Sequence, residues 1–105
     1  MNKKTLEALR GSIKKWERIV AGEEVDWGAE NCPLCEMFFF ACAPGDGCYG
    51  CPVRKKSGQS RCDGTPYQEW AKLGGLGHTA NTKKRLKAAK NELKFLQSLL
   101  PSASA

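Results

Sequence analysis

Cysteine spacing constrains this chain more than any other feature. Its six cysteines fall in the order Cys32-x2-Cys35-x6-Cys42-x5-Cys48-x2-Cys51-x10-Cys62, between two stretches of helical rhythm that contain none. A C-x-x-C pair folds as a tight knuckle that aims two sulfurs at one point, and two pairs supply the four thiolates of a tetrahedral zinc site at about 2.3 Å each. Cys32-Pro33-Leu34-Cys35 and Cys48-Tyr49-Gly50-Cys51-Pro52 carry the small or imino residues that let such a turn point its amides at sulfur. Zinc needs only four ligands, so two thiols are surplus. Cys42 follows Phe38-Phe39-Phe40-Ala41 and reads as an apolar packing residue. Cys62, in Ser60-Arg61-Cys62-Asp63-Gly64, is a rival for the fourth position.

Dense cysteine also serves disulfide frameworks, which need an oxidising compartment. The chain runs from Met1-Asn2-Lys3-Lys4-Thr5-Leu6-Glu7 straight into a charged helical pattern with no apolar signal region, which favours reduced thiols and a cytoplasmic address. No run approaches the ~20 apolar residues of a membrane span. A chain of 105 residues fits one domain whose core is small enough for a central staple to matter. Its formal charge is +6. Four thiolates around Zn²⁺ would bring that excess nearer about +4, which weakens a purely electrostatic case for nucleic acid.

Leu6, Leu9, Ile13, Trp16 and Val20 recur at steps of three and four among Lys, Arg and Glu, and Gly22 follows as a C-terminal cap, so residues 1–22 are expected to form the first helix. Leu86, Ala89, Leu93, Leu96 and Leu100 repeat the rhythm over 79–100, with Thr79 or Asn81 as cap and Pro101 closing the element before a 101–105 tail. Two seams of matching length suit an antiparallel helical hairpin within the chain, or a homodimer between chains. Thr65-Pro66-Tyr67-Gln68 marks a short helix over 65–73, with Thr65 as N-cap, Pro66 at the first helical position and Gln68 as the capping-box partner. The expected fold is mainly α: this hairpin, the short third helix, and an irregular zinc-stapled insert of residues 31–63. Trp16, Trp70 and Phe38 to Phe40 are expected in the core and Trp27 and Tyr49 at the surface, and Glu23, Glu24 and Asp26 read as a solubilising patch that caps the turn after the first helix.

An iron–sulfur cluster also takes four thiolates, and Cys51-Pro52 resembles a ferredoxin cysteine, but the tight spacing of cluster loops is absent. A redox C-x-x-C calls for a strand followed by a helix, and neither pair has that context. A zinc-associated nuclease needs a histidine base beside the knuckles; His78, the one histidine, lies in a Gly-rich segment and reads as a solvent-facing loop residue. A closed structural site without catalysis is the expectation.

Asn31-Cys32-Pro33-Leu34-Cys35, Cys48-Tyr49-Gly50-Cys51-Pro52-Val53, Ser57-Gly58-Gln59 and Cys62-Asp63-Gly64-Thr65-Pro66-Tyr67 with Trp70 together resemble a family of small cysteine-rich phage and prophage proteins of unsettled function. The resemblance spans about Leu9 to Trp70 and leaves the last helix out. It implies five recurring cysteines, matching Cys32, Cys35, Cys48, Cys51 and Cys62, with Cys42 peculiar to this chain. It also implies a phage-related protein in the host cytosol that binds zinc.

The resulting expectation is one structural zinc ion on four of those five cysteines, in a non-catalytic module that engages a host or viral protein. The alternative is nucleic-acid binding through the last helix, with Lys83, Lys84, Arg85, Lys87, Lys90 and Lys94 opposed only by Glu92, and through the Arg54-Lys55-Lys56 loop with Arg61. A solvated helix face explains the same lysines, and no helix-in-groove signature is present.

Overall fold

The computed structural model describes residues 3–38, 51–57 and 64–101, and every regular element among them is helical: α1 (Lys3–Val20), a 3-10 turn (Gly28–Asn31), α2 (Pro33–Phe38), α3 (Pro52–Ser57), α4 (Pro66–Lys72) and α5 (Lys83–Ser98). The extended pairing among these residues is one isolated parallel bridge between Asp26 and Leu76. No helix among them is long and apolar enough to cross a membrane.

α1 ends where its glycine predicts. Gly22 takes φ +79°, its N–H bonds to the Ile19 carbonyl at 3.0 Å and the Glu23 N–H to the Arg18 carbonyl at 2.8 Å, which satisfies two of the last orphan carbonyls with a left-handed residue just past the helix. The face α1 buries is rotated from the expected seam. Leu9, Ile13 and Trp16 are buried as expected, but Leu6 and Val20 are only half-buried, and Thr5, Ser12, Lys15 and Ile19 take the inner positions. Apolar spacing alone misplaces the seam because partners elsewhere draw two polar residues inward. The Ser12 hydroxyl accepts the Leu34 N–H at 3.3 Å, and Lys15 is held by Asp26. The small residues Gly11 and Ser12 also let α2 approach closely, since a Cβ on Gly11 would stand 3.0 Å from Pro33 Cγ.

Thr65 caps α4 as expected, with a shifted box: its hydroxyl accepts the Tyr67 N–H at 3.3 Å, while Gln68 Oε1 accepts from Gly64, one residue before the cap. The cap of α5 differs from expectation. Thr82 accepts the Arg85 N–H at 3.1 Å, Thr79 instead donates its hydroxyl to the Ile19 carbonyl at 3.1 Å, and Asn81 accepts from Arg85 Nη1. α5 packs on both α1 and α4 through Ala88, Ala89, Glu92 and Leu96, with Leu86, Leu93 and Leu100 half-buried beside them.

Trp16 and Trp70 form the centre of the core. Their rings meet edge to face with centroids 5.2 Å apart, and Tyr67 meets Trp16 likewise at 5.9 Å. Trp70 has no exposed surface, and Gly75 lies flat on its indole, where a Cβ would fall 2.1 Å from Cε2. Cys51, Val53 and Leu34 join the same core, so the cysteine-bearing segment is packed into the body of the protein and is not a bare appendage. The described parts of the expected irregular insert are short helices, and Arg54 to Lys56, expected in a loop, lie in α3. Phe39, Phe40, Cys42, Cys48, Tyr49, Arg61 and Cys62 lie outside the described residues.

Candidate metal centre

The same local device positions both described cysteine turns. Cys32 and Cys51 each immediately precede a proline at the first position of a short helix, and each gives its carbonyl to the N–H four residues on, Glu36 to Cys32 at 2.9 Å and Lys55 to Cys51 at 2.9 Å. Proline suits that position because its fixed φ matches the helix and its missing N–H would have lacked a partner there. The sequence pointed to a knuckle at Cys32–Cys35, and the chain there does turn its amide onto sulfur: the Cys35 N–H lies 3.2 Å from Cys32 Sγ.

Cys32 is poised for ionisation. Hydrogen bonding from the Cys35 side chain lowers its pKa most; the Cys35 N–H, the Lys15 ammonium and the Ser12 hydroxyl add to this against the opposing effect of burial, and the result is about 6. The lowered pKa favours the thiolate, the form that binds a metal. Cys32, Cys35 and Cys51 form no disulfide. Of the expected ligands Cys32, Cys35, Cys48, Cys51 and Cys62, the described residues bring Cys32 and Cys35 together and place Cys51 in the adjoining core. No group of three or more candidate ligands occurs among them, so a complete set would draw on cysteines outside them. What the described residues offer is two thiols brought together, with a neighbouring amide aimed at one sulfur.

Behind this pair lies a buried charged cluster that sequence reasoning missed. Asp26 has no exposed surface and Lys15 is 2% exposed, and they pair at 2.9 Å. Asp26 Oδ1 also accepts the Gly28 N–H at 2.8 Å, while Oδ2 accepts Tyr67 Oη–H and Trp70 Nε1–H, each at 2.9 Å. The Asp26 main chain pairs with the Gly77 N–H and the His78 carbonyl. Expected as a solubilising residue of the turn, Asp26 is instead buried with four side-chain hydrogen bonds, while Glu23 and Glu24 keep a surface role and Glu24 pairs with Arg18.

Glu92 on α5 is 3% exposed, and its Oε1 has no hydrogen-bond partner. Burial raises its pKa most, the negative charges of Cys32 and Asp26 raise it further against the pull of Lys15, and it stands at about 8. Burial and neighbouring charge thus move a carboxyl up, and hydrogen bonding moves a nearby thiol down, from their ordinary ranges. The usable signal in the sequence was the step of four from Ala88 to Glu92 to Leu96, which sets Glu92 on the inner face.

Among the described residues two large apolar side chains remain at the surface, Trp27 at 56% and Leu76 at 57% exposure. The Asp26–Leu76 bridge holds their two segments side by side. His78, exposed as expected, has Nδ1 3.0 Å from the Gly74 carbonyl. No family model, curated protein or solved structure matches this chain.

Proposed function

We propose that this protein is a small phage-type zinc-binding module with no catalytic step of its own, which engages a host or viral protein. One structural ion would be held by four of Cys32, Cys35, Cys48, Cys51 and Cys62. The observation that carries the metal reading is the Cys32–Cys35 pair, a thiol lowered to about 6 with its partner's N–H aimed at sulfur. When bound, zinc would supply a cross-link between the two cysteine turns and the core they border. Such a staple would hold the cysteine segment against an antiparallel α1–α5 hairpin, an arrangement supported by the Thr79 hydroxyl that ties the approach to α5 to the last turn of α1.

The protein-partner reading is supported by Trp27 and Leu76. Exposed tryptophan is costly to leave in water and common at the energetic centre of interfaces, and here it stands on a segment fixed to the core through Asp26. The hydrogen bonds of Asp26 hold this surface in place before any partner arrives, which reduces the ordering cost of association.

Metal analysis and an absorption spectrum on protein purified without oxygen test the first half. One zinc per chain with no visible band is expected, with metal lost in Cys35→Ser and retained in Cys42→Ala. Iron with visible absorption, or equal loss from both variants, would overturn the assignment. Capture of a single host protein that persists at high salt and disappears in Trp27→Ala tests the second half.

A further inference from the structure

The basic residues of α5 are arranged against the stability of the helix. Lys83, Lys84 and Arg85 occupy its first turn, which has no acidic residue, and its last turn has no basic one. The helix dipole makes cations unfavourable at the first turn and favourable at the last, so this distribution opposes helix stability at both ends. Arg85 has a structural task, donating Nε–H to the Leu73 carbonyl and Nη1–H to Asn81. The lysines have none: Lys83, Lys84, Lys87, Lys90 and Lys94 are all exposed, and no carboxylate among the described residues pairs with them.

The helix's own acid is also withdrawn from this face. Glu92, the residue that would oppose the lysines on sequence alone, points into the core. Lys83, Lys87, Lys90 and Lys94 follow at steps of four, three and four, and so form one stripe along the outer face, about 16 Å long at 1.5 Å per residue. They border a shallow groove of about 380 Å³ whose other lining residues are Leu86 and Asn91, with no acidic side chain. A second depression, of about 350 Å³, shares Lys87 and Asn91 with the first but adds Lys84 and Glu69, so the acid-free lining is that of the first.

We infer that this stripe is a binding site for the phosphodiester backbone of nucleic acid, read without regard to base sequence. Charge complementarity selects the occupant: four regularly spaced ammonium groups along an acid-free groove match a regular line of phosphates, and the groove presents no exposed aromatic on which a base could stack. The stripe shares no residue with the Cys32–Cys35 pair or with the Trp27–Leu76 surface, and does not depend on either reading.

The test is fluorescence anisotropy of the full-length protein with a labelled random-sequence duplex and a single strand of equal length, titrated at several salt concentrations. With four phosphates neutralised, the log–log salt slope for duplex is expected near about −3.6, with micromolar to tens-of-micromolar affinity at low salt and no preference among sequences. Lys87→Gln/Lys90→Gln should lower that slope in magnitude by about two, while Lys3→Gln/Lys14→Gln, two exposed lysines of α1, should leave it unchanged. The stronger binder of the two probes identifies the form of nucleic acid. Equal losses from the two double variants would reduce the effect to net charge and overturn the site. So would the absence of binding at low salt, or equal binding of a polyglutamate peptide, which would assign the stripe to an acidic protein.

Discussion

A carboxylate with no exposed surface persists in a small core only if its lost hydration is replaced, and Asp26 meets that demand with the Lys15 ammonium, the Gly28 amide, the Tyr67 hydroxyl and the Trp70 indole. Glu92 is the contrasting residue, buried with one oxygen unpartnered. Its folded pKa, about 8, lies above the ordinary carboxylate value of 4.5, so the folded state holds its proton more tightly than the unfolded chain does. The contribution is therefore full below pH 4.5 and is lost as pH rises through 8. Glu92→Gln keeps the shape and removes the ionisation. The variant should match the parent near pH 4 and become progressively more stable relative to it up to pH 8, by at most about 1.4 kcal/mol per pH unit, as read from denaturant midpoints across that range. A constant gap across the range would show that Glu92 does not carry its raised pKa.

Among the elements, α4 shows most directly how a helix and its exit depend on each other. Trp70 fills the core, the chain leaves through Gly74 at φ +73°, and Gly75 doubles back onto the indole. Gly75→Ala sets a methyl group into the ring, so either the indole or the turn must move. A loss of about 1–3 kcal/mol is expected from overpacking, with a changed near-ultraviolet tryptophan signal, whereas Gly22→Ala meets open space and costs only the strain of its positive φ. The starts of α4 and α5 and the end of α1 were legible in the sequence to within a few residues, because caps and breakers act locally. The inner faces of α1 and α5 were less so. Lys15, Ser12 and Glu92 turn inward for reasons that lie in other segments, and apolar periodicity carries no information about a buried lysine whose partner is eleven residues away. The tight turn at Cys32–Cys35 was legible in the sequence, but the form of the two cysteine turns as proline-started helices packed into the core was not.

At the scale of the molecule, the core of α1, α4 and α5 rests on Trp16, Trp70, Leu9, Ile19, Ala89 and Leu96, with Leu34, Cys51 and Val53 added at its side from the cysteine-bearing segment. That division separates two levels of order. Chelation of the proposed zinc should leave the far-ultraviolet helix signal largely intact and the tryptophan environment native, while exchange protection falls in α2 and α3. Complete unfolding on chelation would mean that the metal carries the whole fold, as it does in classical zinc fingers.

Asp26 has one further consequence, for the connectivity of the chain. Its two oxygens reach Gly28 on one side and Tyr67 on the other, so the whole excursion that carries the cysteines begins and ends at a single carboxylate. The loop is closed by the core, whatever its interior contains. The entropy of closing a flexible loop grows only with the logarithm of its length, about 0.6 kcal/mol for each doubling. Closure is therefore the smaller term: exchanging the excursion would cost chiefly the core packing of Leu34, Cys51 and Val53, which lie between those two anchors.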